Sequence, residues 1–298
     1  LRTPGDRPLA ECDIRAPVRS NGVAISGSCE HLVVRNLTCT HVYNDGFNIH
    51  GYCRDVVFEN VQALECGDDG MSAHDDCAIV VRGMVSMGNS TGACHVNQAN
   101  TISAGMYIAG NHGVDYYVLN TGRHVLQDTR IVCDAAQSLV CVGDEPEGAV
   151  CRLTLDNVLL QGSGASDLIK AHRNSAVEAT RCTFFRLALS IAGASFTLRQ
   201  SVVAGEPKPN IVIYPHTAWT AADNLYDLDY VRVGDNFYRA DSFDRYQEAT
   251  GQDAGSLWTA VQFATPFDGS LISPAGTAGI GVDPARLPQA VPEVTHQR

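Results

Sequence analysis

The chain has 298 residues, 45% hydrophobic and 18% charged, with a formal net charge of −12. Those proportions suit a folded protein with a sizeable core, and the acidity argues against a nucleic-acid partner, which needs a basic face. No apolar run approaches a membrane span, and eleven cysteines without a Cys-X-X-Cys pair speak against zinc.

The first twenty residues contain Pro4, Pro8 and Pro17, with no signal-peptide pattern and no amphipathic cap helix. An end coil left bare would expose strand edges and core. A preceding segment, or another subunit, is therefore expected to cover it.

From Gly22 the sequence repeats. Gly22–Cys29, Gly46–Cys53 and Gly70–Cys77 align without gaps at 24-residue steps, each followed by a second β-branched run: Leu32–Val34, Val56–Phe58 and Ile79–Val81. Asn36 and Asn60 fall at one point of the repeat, and Asn44-Asp45-Gly46 and Asp68-Asp69-Gly70 at another. Short strands punctuated by Asn, Asp and Gly at a fixed period predict a solenoid. Without helical periodicity, a leucine-rich or ankyrin array is excluded. The expectation is an all-β, right-handed parallel β-helix with coils of about 22–24 residues.

Period-two alternation turns Val23, Ile25, Phe47, Ile49, Met71 and Ala73 inward. Cys29, Cys53 and Cys77 then stack as a ladder of small core residues, although disulfides between rungs stay open. Outside, Ala24, Asn48 and Ser72 form one column and Ser26, His50 and His74 another. A 23-residue step into the next coil sets His95 beside Ser72 and Asn97 beside His74. The turn columns read Asn21, Asp45, Asp69 and Ser20, Asn44, Asp68, with Asp75 and Asp76 beyond.

Stacked carboxylates push one pKa up and leave a proton donor beside an ionised partner. Asp45, Asp68, Asp69, His50 and His74 are thus the candidate catalytic groups. Asn44, Asn48, Asp75, Asp76, His95 and Asn97 are candidates for substrate binding. Asp-Gly pairs are also ordinary turn chemistry, because Gly accepts positive φ. No cofactor is required, although Asp45, Asp68 and Asp69 could hold calcium.

Further short strands run to Pro215, giving roughly seven to nine coils over residues 1–215. Lys170, His172 and Arg173 form a compact basic group on them, a second candidate for substrate contact. Tyr107, His112 and Tyr117 offer sugar-stacking or proton transfer. Residues 216–298 read as a mostly irregular C-terminal cap, with one short helix over Asp241–Gly251 and an extended end from Ser273.

On these motifs the chain resembles the pectate-lyase-like superfamily of carbohydrate-active β-helices over about residues 20–215. Asn44-Asp45-Gly46 followed by Gly67-Asp68-Asp69 is similar to the polygalacturonase pattern Asn-Thr-Asp then Gly-Asp-Asp. That likeness implies hydrolytic roles for Asp45, Asp68 and Asp69. No Gly-His-Gly follows one coil on. The Gly46-Phe47-Asn48-Ile49-His50 segment resembles the Gly-Phe-Asp-Pro-His of mannuronan C5-epimerases without its Asp-Pro. The resemblance implies a polysaccharide or oligosaccharide partner, a secreted or periplasmic location, and hydrolase, lyase or epimerase chemistry. A non-catalytic carbohydrate-binding or structural solenoid is the alternative.

Overall fold

Strand Val23–Arg35 lies parallel to Phe47–Glu59 with Val23 opposite Phe47, Ile25 opposite Ile49 and Leu32 opposite Val56. The 24-residue repeat is therefore one turn of chain. Repeating it builds a parallel β-solenoid of about 9 turns, with 57% strand and 6% helix. The computed structural model describes residues 13–14, 19–133, 137–144, 150–163, 168–264, 267–272 and 277–289.

Each coil contributes to three parallel ladders. One face runs through the start of Phe47–Glu59, then Asp69–Ala73, Thr91–His95, Val114–Asn120, Gln137–Gly143 and Leu168–His172. The corners turn on residues in the left-handed region, where Asn, Asp and Gly are least strained. Asn36, Asn60, Gly83, Gly105, Asp128 and Asn157 hold one corner, all at positive φ. Asn60 Nδ2 also donates to Asn36 Oδ1 at 2.9 Å, so adjacent corners bond to each other. Inside, Phe47, Ile49, Phe58, Met71, Ala73 and Val81 are fully buried in one continuous core. The cysteine ladder forms as expected, Cys29 opposite Cys53 and Cys53 opposite Cys77.

Three expectations are corrected. The step from the third to the fourth coil is 22 residues: Met71 faces Ala93, Ser72 faces Cys94 and Ala73 faces His95. A one-residue slip moves every side chain to the opposite face, so His95 points into the core and is fully buried.

Secondly, the Asp-Gly pairs are not positive-φ turns. Gly46 and Gly70 are absent from the left-handed region, and Asp69-Gly70 opens a strand. Glycine is needed there for close approach. A Cβ on Gly70 would lie 2.2 Å from Ser86 Oγ and 2.6 Å from the Gly92 carbonyl oxygen, and one on Gly46 2.7 Å from the Gly70 carbonyl oxygen.

Thirdly, the ladder does not stop at Pro215. Ala218–Ala222 pairs with Ser195–Arg199, and Tyr230–Val233 with Asn210–Ile213. Three alanines in five residues hid the first of these strands, since alanine carries little β preference.

The helix forms over Phe243–Thr250 and ends at Gly251, φ 67°. It is fastened by Asp253, fully buried, which accepts from Tyr226 Oη (2.8 Å), Tyr246 Oη (2.8 Å), Ser256 Oγ (2.7 Å) and Asn224 Nδ2 (3.2 Å). The C-terminal segment packs along the solenoid, as expected of a tail laid on it. The Asp283 N–H donates to Asn157 Oδ1 at 2.6 Å, a 3-10 turn spans Pro284–Arg286, and Leu287 and Val282 pack on Leu159. Ser273-Pro274-Ala275 and the last residues lie outside the described residues.

Candidate functional site

The close glycine stack draws Asp45 and Asp69 onto successive rungs of one face. Both are buried, Asp45 at 3% and Asp69 at 9% exposure. The Asp45 carboxylate is used as an acceptor: Asn48 Nδ2 and Ser72 Oγ (2.5 Å) donate to its Oδ2, and the Asp69 N–H to its Oδ1 at 3.3 Å. Asn48 Nδ2 also donates to Ser72 Oγ at 2.9 Å. Burial, then the charges of Asp45 and Asp68, push the Asp69 carboxyl up to about 7, against weaker opposition from hydrogen bonds with Thr91 and Cys94. Asp68 is exposed at the rim, and its carboxyl is raised by partial burial and by Asp45.

His74 completes the cluster. Asp45, Asp69 and His74 each bring a ligand atom within 4.8 Å of the other two. Burial and the neighbouring His50 lower the proton affinity of His74, with Asp45, Asp75 and Asp68 opposing. The two imidazoles stack with centroids 4.1 Å apart. Asp75 clasps this stack from the corner: it accepts from the Gly51 N–H (3.2 Å) and Asn97 Nδ2 (3.2 Å) and lies 3.4 Å from His50 Nδ1. Burial works against ionisation there, but those partners hold the Asp75 carboxyl below its usual range. Asn97 thus stacks on Asp75 instead of His74, by the same register slip.

Other expected members lie elsewhere. Asn44 Nδ2 donates to Asn21 Oδ1 at 2.7 Å in the turn ladder. Asp76 pairs with Arg54 at 2.6 Å and lines a cavity with Asp75 and Asn97. His95 is inside, edge-on to Tyr116 and parallel to His124, with ring centroids 5.6 and 5.9 Å away. In its place the 22-residue step puts Cys94 beside Ser72 and Thr91 beside Asp69. Burial and the nearby Asp69 hold the Cys94 thiol well above its usual range, hence protonated. Sequence reasoning missed both residues. Counting the third coil at 22 residues would have found them.

The basic group shares this face. Register runs Ser72, Cys94, Tyr117, Val140, Lys170 in one column, four steps or about 19 Å. Lys170, His172 and Arg173 line a cleft of about 500 Å³ with Tyr117, Asn120 and Asp144. His172 Nε2 lies 3.1 Å from Ser190 Oγ, and its proton affinity is lowered by burial and then by Lys170 and Arg173. Tyr107 sits on another face, and His112 is exposed at a corner.

The arrangement offers a protonated carboxyl beside an acceptor carboxylate and an uncharged imidazole, the components of proton transfer near neutral pH. It also offers two carboxylates and an imidazole to a cation. That grouping uses His74 where Asp68 was expected, and imidazole suits a borderline transition metal better than calcium, which takes oxygen ligands. Comparison with protein-family models, with curated proteins and with solved structures gave no match.

Proposed function

We propose that the chain hydrolyses glycosidic bonds in a polysaccharide laid along the face that carries Asp45, Asp69 and His74. The observation that carries this is the pair of buried carboxyls, Asp69 one rung from Asp45, whose burial and mutual charge raise the Asp69 carboxyl toward neutrality. A donor poised near neutrality is what protonation of a glycosidic oxygen requires. Asp69 gives its proton to the leaving oxygen. Asp45 keeps that proton in place beforehand by its charge. Asp68, exposed at the rim, draws the proton from the attacking water. His74, uncharged, carries protons between the cluster and solvent.

Likeness of Asn44-Asp45-Gly46 and Gly67-Asp68-Asp69 to polygalacturonase motifs supports this reading, as does the solenoid, a fold typical of carbohydrate-active enzymes. Lys170, His172 and Arg173 then serve to hold an acidic sugar further along the same chain. Secretion, or export to a periplasm, follows for an enzyme acting on polymer outside the cell.

A second reading is favoured by the three ligand atoms within 4.8 Å at Asp45, Asp69 and His74. A divalent cation there would neutralise a uronate carboxylate and acidify the adjacent carbon, which is elimination or epimerisation chemistry. Mass spectrometry of products from neutral and uronic polysaccharides, with and without added calcium or zinc, separates the two. Saturated fragments without added metal support hydrolysis. Metal-dependent fragments lighter by one water support the lyase. No product under any condition sinks both and leaves a binding or structural solenoid.

A further inference from the structure

The inner corner between the site face and the next face is lined by Cys29, Cys53 and Cys77 in register. Cys29 Sγ and Cys53 Sγ are 3.1 Å apart. Neighbouring parallel strands lie about 4.8 Å apart, within the Cα separation of about 4.4–6.8 Å that a disulfide spans. Closing the bond therefore needs little backbone movement. Among the described cysteines Cys29 is partly exposed and the others are buried, so an oxidant meets Cys29 first.

We propose that Cys29 and Cys53 form a reversible disulfide that staples the first coil to the second. This rests on the fold and not on the proposed chemistry. The oxidant is a small disulfide such as oxidised glutathione. The Cys29 thiolate attacks it, giving a mixed disulfide and releasing one glutathione thiol. The Cys53 thiolate then attacks the Cys29 sulfur and releases the second, so two protein thiols are oxidised and one disulfide is reduced to two thiols. The second step is slow, because burial raises the Cys53 thiol above its usual range.

The staple has a mechanical and a local effect. Strand Val23–Arg35 has its ladder partner in Phe47–Glu59, and Leu32 and Val33 on it are exposed. A covalent link adds to the ladder and to the core packing of Ile25, which hold this strand otherwise. The Cys53 thiol also donates to the His50 carbonyl oxygen at 3.5 Å. Oxidation removes that donor beneath the histidine stack.

The test uses the folded full chain with oxidised glutathione, followed by thiol blocking and a non-reducing tryptic digest. The expected result is loss of two thiols per chain and a joined pair of tryptic peptides, residues 20–35 and 36–54. Fragmentation should place the bond at Cys53 and not at Cys39. Cys29→Ser should abolish the cross-link, and Cys77→Ser should leave it. A stable glutathione adduct on Cys29 without a cross-link overturns the proposal. So does a cross-link that survives Cys29→Ser, which would assign the pair to Cys53 and Cys77.

Discussion

His50 and His74 lie face to face, their ring centroids 4.1 Å apart and their planes only 3° from parallel. Two imidazoles at that spacing cannot both be charged without mutual repulsion, and His50 is one cause of the lowered proton affinity of His74. Replacing His50 by Ala should raise the His74 midpoint toward its ordinary 6.5. NMR titration of the ring protons reads the shift. An unmoved His74 would mean that burial alone sets it.

On the proposed chemistry Asp69 couples activity to stability with opposite signs. Its carboxyl is raised from 3.8 to about 7 in the folded chain. Between those values the folded state keeps a proton that the unfolded state has released. Stability from this group therefore falls as pH rises through the window, and the cost is complete above about 7. Three units correspond to at most about 4 kcal/mol. Asp69→Asn should unfold at higher denaturant than the parent at pH 8 and lose this advantage at pH 4. On the proposed chemistry it should also cost about 10²–10⁴ in rate. Denaturant titrations at the two pH values check the first part, and initial rates the second.

The interior position of His95 makes a separate prediction. Both ring nitrogens are buried, and among the described residues neither has a well-formed hydrogen-bond partner, a situation that costs about 1–3 kcal/mol. His95→Leu should raise the unfolding midpoint and leave activity unchanged. A large loss of activity with no gain in stability would return His95 to the site.

Asp253 works the other way. Removing it leaves Tyr226, Tyr246, Ser256 and Asn224 with donors aimed at nothing. Asp253→Ala should destabilise by about 3 kcal/mol or more. Hydrogen exchange should show the loss first in the helix Phe243–Thr250 and the strands beneath it.

The fold was legible because its signal is repeated. Gly46 and Gly70, Ile49 and Ala73, Cys53 and Cys77 recur at one step, and each recurrence confirms the last. The carboxylate pair on adjacent rungs could be read for the same reason. The fourth coil could not, because a 22-residue step looks like a 23-residue one until the hydrogen bonds are laid down. That single residue took His95 inside and brought Cys94 out. The role of Gly70 was also misread. An Asp-Gly pair carries the same letters whether glycine supplies a positive φ or simply lacks a Cβ where Ser86 and Gly92 press in. Along one strand those cases are indistinguishable, and only the neighbouring coil separates them.

The carboxylates of Asp45 and Asp69 belong to the second and third coils and are held together by the ladder between them. In a solenoid each coil is supported chiefly by its neighbours, so opening begins at an end and proceeds rung by rung. Opening of that one ladder, between Phe47–Ile49 and Met71–Ala73, separates the two carboxylates even while every other rung stays closed.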